Sequence, residues 1–238
     1  MAQQGLLWKV SKPGSKKVSY LFGTMHTSDS LCNTWSDAWW KAFDDCDMLA
    51  GEADFGDYSQ AIQALTLSMM KDTVLSDLYS PEEYAFVDSI LVEHGQEGMK
   101  YLHRKMRPLV SMLTYLETPE STGPFTELMD LRLQHMAVER GWQVAGLETA
   151  VEQLECLQVL SLEEEADMLL DVLSTADSSQ NFLDDLTGTY LTQDLQKLAQ
   201  DESMADYPPR LMHAILDVRN QRFLERLIPL MKKQRVFC

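Results

Sequence analysis

Two short apolar segments joined by one helical segment constrain the fold of this chain more than any other feature. Val18–Gly23 and Met48–Glu52 are short and rich in apolar side chains, which is typical of buried strands. Between them, Ser36–Cys46 carries aromatic side chains at helical spacing after a serine suited to cap a helix. Crossover connections between parallel strands of one sheet are almost always right-handed, so this order of segments favours a right-handed parallel crossover. Trp8–Val10 is predicted to pair with the first strand as a hairpin.

Most of the chain from Tyr58 to about Gln200 is predicted to be helical. Ser80 followed by a glutamate three residues later, and Ser161 followed by Glu164, are capping boxes that mark helix starts. Trp142–Glu148 is predicted to be a third strand. Pro209–Lys233 is predicted to be a long helix that is kinked or interrupted near Pro229, since proline removes a helix hydrogen bond.

The last four residues, Arg235–Cys238, are predicted to begin a fourth strand that is cut short. A shortened strand would leave an unpaired sheet edge, and such an edge favours a homodimer. The predicted fold class is α/β to α+β, with a small, mainly parallel sheet and a large, mostly helical middle region. We expect one domain over residues 1–238, with these parts: sheet elements near 6–26, 47–54, 142–148 and 235–238, a helical insert at about 57–140, and C-terminal helices at about 150–234.

The charge of the chain excludes some classes of partner. Its formal net charge is −17, which repels nucleic-acid phosphates and anionic membrane surfaces. We expect neither a signal peptide nor a membrane span, because no basic segment precedes an apolar run and no apolar stretch reaches about 20 residues. The 4 cysteines match no zinc motif and are expected to be free thiols. The expected location is the cytoplasm, or outside it for a chain whose signal has been removed.

Polar side chains follow each of the first three predicted strands. His26 comes after the first strand, Glu52 and Asp54 after the second, and Glu148 ends the third. The carboxyl ends of parallel strands meet at one edge of a sheet, where ligands bind in open α/β folds. Histidine and carboxylate are metal ligands and general bases. Two plainer readings stay open: His26 could hydrogen-bond within a turn, and Asp54 could cap the next helix.

Two arginines stand out against the acidic background. Arg107 precedes a proline in a helical stretch, and Arg219 lies with Asn220 in the last long helix, which also contains Arg222 and Arg226. A guanidinium could hold a substrate carboxylate or a developing oxyanion. The alternative is a set of salt bridges on helix faces.

Five motifs in this order resemble the TraB/PrgY/GumN family, which includes the TIKI-type metalloproteases. They are the GxxH strand Gly23–His26, the ExD element Glu52–Asp54, the Arg-Pro pair Arg107–Pro108, the GLET segment Gly146–Thr149 with Gln153, and the RN pair Arg219–Asn220. The resemblance covers nearly the whole chain and implies an EreA/ChaN-like fold.

In its TIKI branch the resemblance also implies a divalent-metal-dependent peptidase. His26 and Glu52 would then bind Mn²⁺, Co²⁺ or Zn²⁺. Glu148 or Asp54 would act as general base or orient the other groups. The arginines, with Asn220 beside the second of them, would position a peptide or small-molecule substrate.

The chain departs from the family pattern in one respect. The family carries a second GxxH after the RN helix, and this chain ends at Cys238, where that strand would begin. We therefore expect the metal to be absent or incompletely held. Two other functions stay open: a protein that binds and sequesters a peptide or small ligand without turnover, and a regulatory protein with a vestigial pocket.

Overall fold

Five strands form one mixed sheet within the described residues. In chain order they are β1 (Leu7–Val10), β2 (Ser19–Phe22), β3 (Met48–Gly51), β4 (Gln143–Gly146) and β5 (Val236–Phe237). The order across the sheet is β1-β2-β5-β3-β4, in which β1 is antiparallel to β2 and the other pairs are parallel. The predicted α/β class, the hairpin and the mainly parallel sheet are confirmed.

The computed structural model describes these residues: 5–25, 32, 34–54, 56, 58–95, 101–117, 128–175, 185–199 and 207–238. They fall into two compact units. The sheet unit comprises Met1–Asp57, Ser121–Thr149 and Asp184–Cys238, and the helical unit comprises Tyr58–Glu120 and Ala150–Leu183.

The helices of the described residues surround the sheet in one unit and make up most of the other. In chain order they are α1 (Asp37–Asp44), α2 (Tyr58–Leu67), α3 (Pro81–His94), α4 (Pro108–Glu117), α5 (Met129–Glu139), α6 (Ala150–Leu157), α7 (Leu162–Ser174), α8 (Leu195–Ala199), α9 (Pro209–Met212) and α10 (Arg219–Lys233). Residues 185–191 are also helical, and two short 3₁₀ turns lie at Leu75–Asp77 and Leu102–Arg104. None of the described helices has the length and apolar composition needed to cross a bilayer.

β5 lies in the middle of the sheet. Phe237 is paired with Tyr20 of β2 on one side and with Leu49 of β3 on the other. The prediction of an unpaired edge at the last strand is therefore wrong, because this strand has a partner on each side. The homodimer remains a prediction without that support.

Apolar side chains cover both faces of the sheet, as strand alternation requires. On one face, Phe237 contacts Trp39 and Phe43 of α1, with ring centroids 5.1 and 5.0 Å apart. On the other face, Met48 and Val236 pack with Leu227 of α10 and other buried side chains. α1 and α10 therefore hold the sheet from opposite sides.

The predicted helix starts are confirmed. Ser80 and Ser161 each accept a hydrogen bond from the backbone N–H of the glutamate three residues later, and that glutamate side chain accepts one from the serine N–H. These reciprocal bonds satisfy N–H groups that a helix leaves without partners in its first turn.

The last long helix departs from α geometry at a place the sequence did not indicate. α9 continues through a π-helical segment, His213–Val218, into α10. Of the kink or interruption predicted near Pro229, the interruption is wrong, since α10 runs through this residue, and the kink stays a prediction. Pro229 is exposed, so water can bond the carbonyl that its missing N–H leaves without a partner.

Candidate active site at the strand ends

Glu52 and Glu148 meet at the carboxyl ends of β3 and β4. The pairing of the two strands continues beyond their last residues, since Leu147 N donates to Gly51 O over 2.9 Å. Glu148 N then donates to Glu52 O over 2.8 Å. The backbone register therefore places these two predicted site residues next to each other.

Gly146 allows the backbone after β3 and the backbone after β4 to lie close together at this edge of the sheet. A Cβ atom at this position would lie 2.8 Å from Asp54 N and 2.9 Å from Glu148 O. Both are backbone atoms, which cannot move aside as a flexible side chain can. From α5, Gln134 Nε2 donates to Ala53 O over 2.7 Å and fixes the loop after β3.

Arg219 connects the two glutamates. Its Nε donates to Glu148 Oε1 over 2.8 Å, and its Nη2 donates to Glu52 Oε2 over 2.6 Å and to Glu148 Oε1 over 2.5 Å. The side chain of Glu148 is 0 % exposed, whereas that of Glu52 is 34 % exposed. A carboxylate buried this completely needs charged hydrogen-bond partners. Glu52 is thus the glutamate of the pair that solvent reaches.

A second arginine completes the pairing of Glu148. Arg222 Nη1 donates to Glu148 Oε2 over 3.0 Å, so both carboxylate oxygens accept from guanidinium groups. Burial lowers the pKa of Arg219, but its hydrogen bond to Glu148 and the charges of both glutamates outweigh burial and raise that pKa above its ordinary value. Arg219 therefore carries its charge at neutral pH.

Arg222 and Arg226 lie in the predicted last long helix, but no role in the site was predicted for them from the sequence. They follow Arg219 at three and seven residues, which places all three on one helix face. Arg226 Nη1 donates to Leu147 O over 3.0 Å, beside Glu148. The i, i+3, i+7 spacing was a usable signal. The π-helical segment before Arg219 had no sequence signal, and such segments often occur at functional sites.

Asp54 and Asn220 lie near the glutamate pair in sequence but have different surroundings. Asp54 Oδ1 accepts a hydrogen bond from Gly56 N over 2.9 Å, which is the bond of an Asx turn between β3 and α2. Asn220 is exposed, and its side chain makes no hydrogen bond within the part of the chain that the structure describes.

The ends of β2 and β5 contribute further polar groups at this edge. Thr24 Oγ1, just after β2, donates to Asp130 Oδ1 over 2.9 Å, and Asp130 was not predicted as a site residue. Cys238 N pairs with Tyr20 O after β5. Burial, and then the nearby charge of Glu52, raises the pKa of the Cys238 thiol to about 12, so this thiol stays protonated at neutral pH. His26 lies outside the described residues.

Arg107 belongs to the helical unit. Its Nε donates to Glu165 Oε1 over 3.1 Å, its Nη2 is paired with the same carboxylate, and the Glu165 side chain is 0 % exposed. Burial raises the pKa of Glu165, while the guanidinium of Arg107 opposes that rise. The predicted role of Arg107 beside Arg219 stays a prediction.

The carboxylates of the site differ in their fitness to bind a metal ion. Glu52 fits, because it stands at a strand end and is partly exposed. Glu148 does not fit, because both of its oxygens already accept from arginines. Across the described residues, no group of three or more His, Cys, Asp or Glu side chains is placed to hold a metal ion. Glu52 is thus one candidate ligand, and His26 would have to supply another.

Comparisons with known proteins identify the family. A search of curated proteins and a search of solved structures each found no match. The model of the TraB/PrgY/gumN family matches residues 6–238. That match spans all five strands and includes the strand ends that carry Glu52 and Glu148. The chain therefore belongs to the TraB/PrgY/gumN family.

Proposed function

We propose that the chain is a divalent-metal-dependent hydrolase that acts on peptides at the strand-end site. The observation that supports it best is the pair Glu52 and Glu148, brought together at the carboxyl ends of two parallel strands and joined by Arg219. Such edges are where open α/β folds bind ligands. A charged network held this firmly can present polar groups to a substrate without reorganising.

His26 and Glu52 are the proposed metal ligands. A bound Mn²⁺, Co²⁺ or Zn²⁺ would supply a water molecule of lowered pKa. Of the two candidate proton acceptors, Asp54 is better suited than Glu148. Glu148 is buried and both of its oxygens accept from arginines, so it orients Arg219 and Arg222 instead.

Arg219 is the proposed group for binding the substrate. Its Nε and Nη2 are held by the glutamates, whereas its Nη1 lies 3.5 Å from Ile215 O, which is a weak hydrogen bond. Nη1 can therefore donate to a substrate carboxylate or carbonyl oxygen without any movement of the planar guanidinium, which the glutamates hold through Nε and Nη2.

Peptide hydrolysis by the chain, with and without each added metal, tests this proposal. We expect turnover that depends on metal and that falls by about 100-fold or more in His26→Ala. His94→Ala is the matched control, because His94 is exposed at the end of α3 in the helical unit, and it should keep the wild-type rate. Equal, background-level turnover for the wild type and His26→Ala would refute the proposal.

A second candidate function is peptide or small-ligand binding without turnover. The arginines that pair with Glu148 and Glu52 favour this candidate. They already neutralise the negative charge of the two carboxylates, so the site needs no metal cation to do so. Calorimetry with a peptide in EDTA distinguishes the two functions. Binding that survives the chelator supports this candidate, and binding abolished by it argues for the metal-dependent hydrolase.

A further inference from the structure

The helical unit contains a pocket that is lined by Arg107 and includes neither the glutamates nor Arg219 of the strand-end site. Its volume is about 400 Å³, within the range of small-molecule pockets. Apolar side chains form much of its wall, and they are Leu67, Met69, Met70 and Leu162. Lys71 and Arg107 also line it, so an apolar wall and two cationic groups face the same space.

Short backbone pairing builds one side of this pocket. Met70 N donates to Lys105 O over 2.7 Å, and Arg107 N donates to Ser68 O over 2.8 Å. These bonds join the segment after α2 to the segment before α4, and Met69 and Met106 form an isolated antiparallel bridge between them. The wall is therefore held in place without a ligand.

Arg107 is fixed in the pocket wall by a buried partner. Glu165 holds its Nε and Nη2, and Leu109 N also donates to Glu165 over 3.4 Å. The Nη1 of Arg107 makes no hydrogen bond to any described residue, and it is not among the buried atoms that lack a partner. Two N–H donors of a positioned guanidinium are thus accessible to a ligand.

The charges around the pocket favour a single carboxylate. Lys71 is exposed and forms no ion pair within the described residues, so its ammonium is available. Asp72 also lines the pocket, but it is exposed and its charge is screened by water and salt. The side chain of Arg107 is only 18 % exposed, so water and salt screen its charge less than that of Lys71. A carboxylate would therefore accept a stronger hydrogen bond from Arg107 Nη1 than from Lys71.

We propose that this pocket binds a carboxylate carried on an apolar chain. Arg107 Nη1 and Lys71 donate hydrogen bonds to the carboxylate. The methionine and leucine side chains pack against the apolar part of the ligand. Methionine adapts its shape to ligands of different outline. The carboxylate can come from a free acid or from the C-terminus of a peptide. The proposal concerns binding alone and does not depend on hydrolysis at the strand ends.

Titration calorimetry on the full chain tests the proposal with two pairs of probes. The acids are octanoate and N-acetyl-leucyl-leucine, and each is compared with its uncharged amide. We expect one acid to bind about tenfold or more tightly than its amide, because the amide cannot form the charged hydrogen bond. The tighter acid identifies the source of the carboxylate. The proposal fails if neither acid binds, or if acids and amides bind equally.

Two variants test whether the acid binds in this pocket. Gln158 lines the pocket and is exposed, and its side chain makes no hydrogen bond to a described residue, so Gln158→Trp fills space without removing a side-chain hydrogen bond. It should abolish binding of the tighter acid, and wild-type binding by this variant overturns the assignment. Lys71→Ala should weaken binding about threefold or more. Lys9→Ala, an exposed lysine of the sheet unit, is the matched control and should leave binding unchanged.

Discussion

Replacing Arg219 by methionine removes the guanidinium that reaches both glutamates of the strand-end site and keeps a long apolar stem. Glu148, whose side chain is 0 % exposed, would then face Arg222 alone. Glu52 would lose its bond from Arg219 but is partly exposed and can be hydrated. The cost of the change therefore comes mainly from Glu148.

The size of the effect follows from this burial. Removing one partner of a buried ion pair costs about 3–5 kcal/mol, because the remaining charge is left without compensation. Since the side chain of Arg219 is 20 % exposed, water reaches part of the gap, and we expect the lower value. A loss of about 3 kcal/mol lowers the Tm of a chain of this length by about 6–12 °C.

Thermal unfolding followed by circular dichroism measures this shift. Arg235→Met is the matched control, since Arg235 pairs with Asp47 in the same unit but both side chains are almost half exposed. Surface pairs of this kind contribute little, so the control should lower Tm far less. Adding Glu148→Leu to Arg219→Met should recover most of the loss. The reasoning is refuted if Arg219→Met and Arg235→Met shift Tm equally, or if the double variant is less stable than Arg219→Met.

Three further predictions concern single positions. Gly146→Ala should destabilise the chain by about 2–3 kcal/mol in a denaturant titration, because the added Cβ would lie 2.8 Å from Asp54 N; an unchanged midpoint contradicts that close approach. The hydrogen bond from Arg104, with one from a neighbouring histidine, lowers the pKa of Asp88 to about 2 from 3.8, so its stabilising contribution is present above about pH 4 and is lost as pH falls through about 2. Asp88→Asn should flatten the fall of Tm over that acid range, and an identical acid profile for the wild type would disprove the assignment. Ser161→Ala should cost about 1 kcal/mol through loss of the N-cap, and a value near zero would show that the cap does not stabilise α7.

The parts of the fold that depend on neighbouring residues were predictable from the sequence. The capping boxes at Ser80 and Ser161 act within one helical turn, so the residues that form them stand side by side in the chain. The order of strands was not predictable in the same way. β5 pairs with β2 and β3 across more than 180 residues, and no local pattern specifies which gap in a sheet a strand fills.

The candidate site was predictable in part for the same reason. Glu52 and Glu148 follow apolar strands directly, so their meeting at one edge could be inferred from parallel pairing. The arginines were harder to separate, because Arg107 and Arg219 both lie in or beside helices of an acidic chain. Only the structure shows that Arg107 pairs with Glu165 in the helical unit, while Arg219 and Arg222 pair with Glu148 in the sheet unit.

The most direct test of the proposed hydrolase is kcat/KM for peptide hydrolysis by Glu52→Gln in the presence of Mn²⁺, Co²⁺ or Zn²⁺. Glutamine keeps the shape of the side chain and its bond from Arg219 but removes the charge that would bind the metal. We expect kcat/KM to fall by about 100-fold or more, while Glu82→Gln, an exposed change in the first turn of α3, keeps the wild-type value. Equal values for the wild type, Glu52→Gln and Glu82→Gln would contradict a hydrolytic site at the ends of β3 and β4.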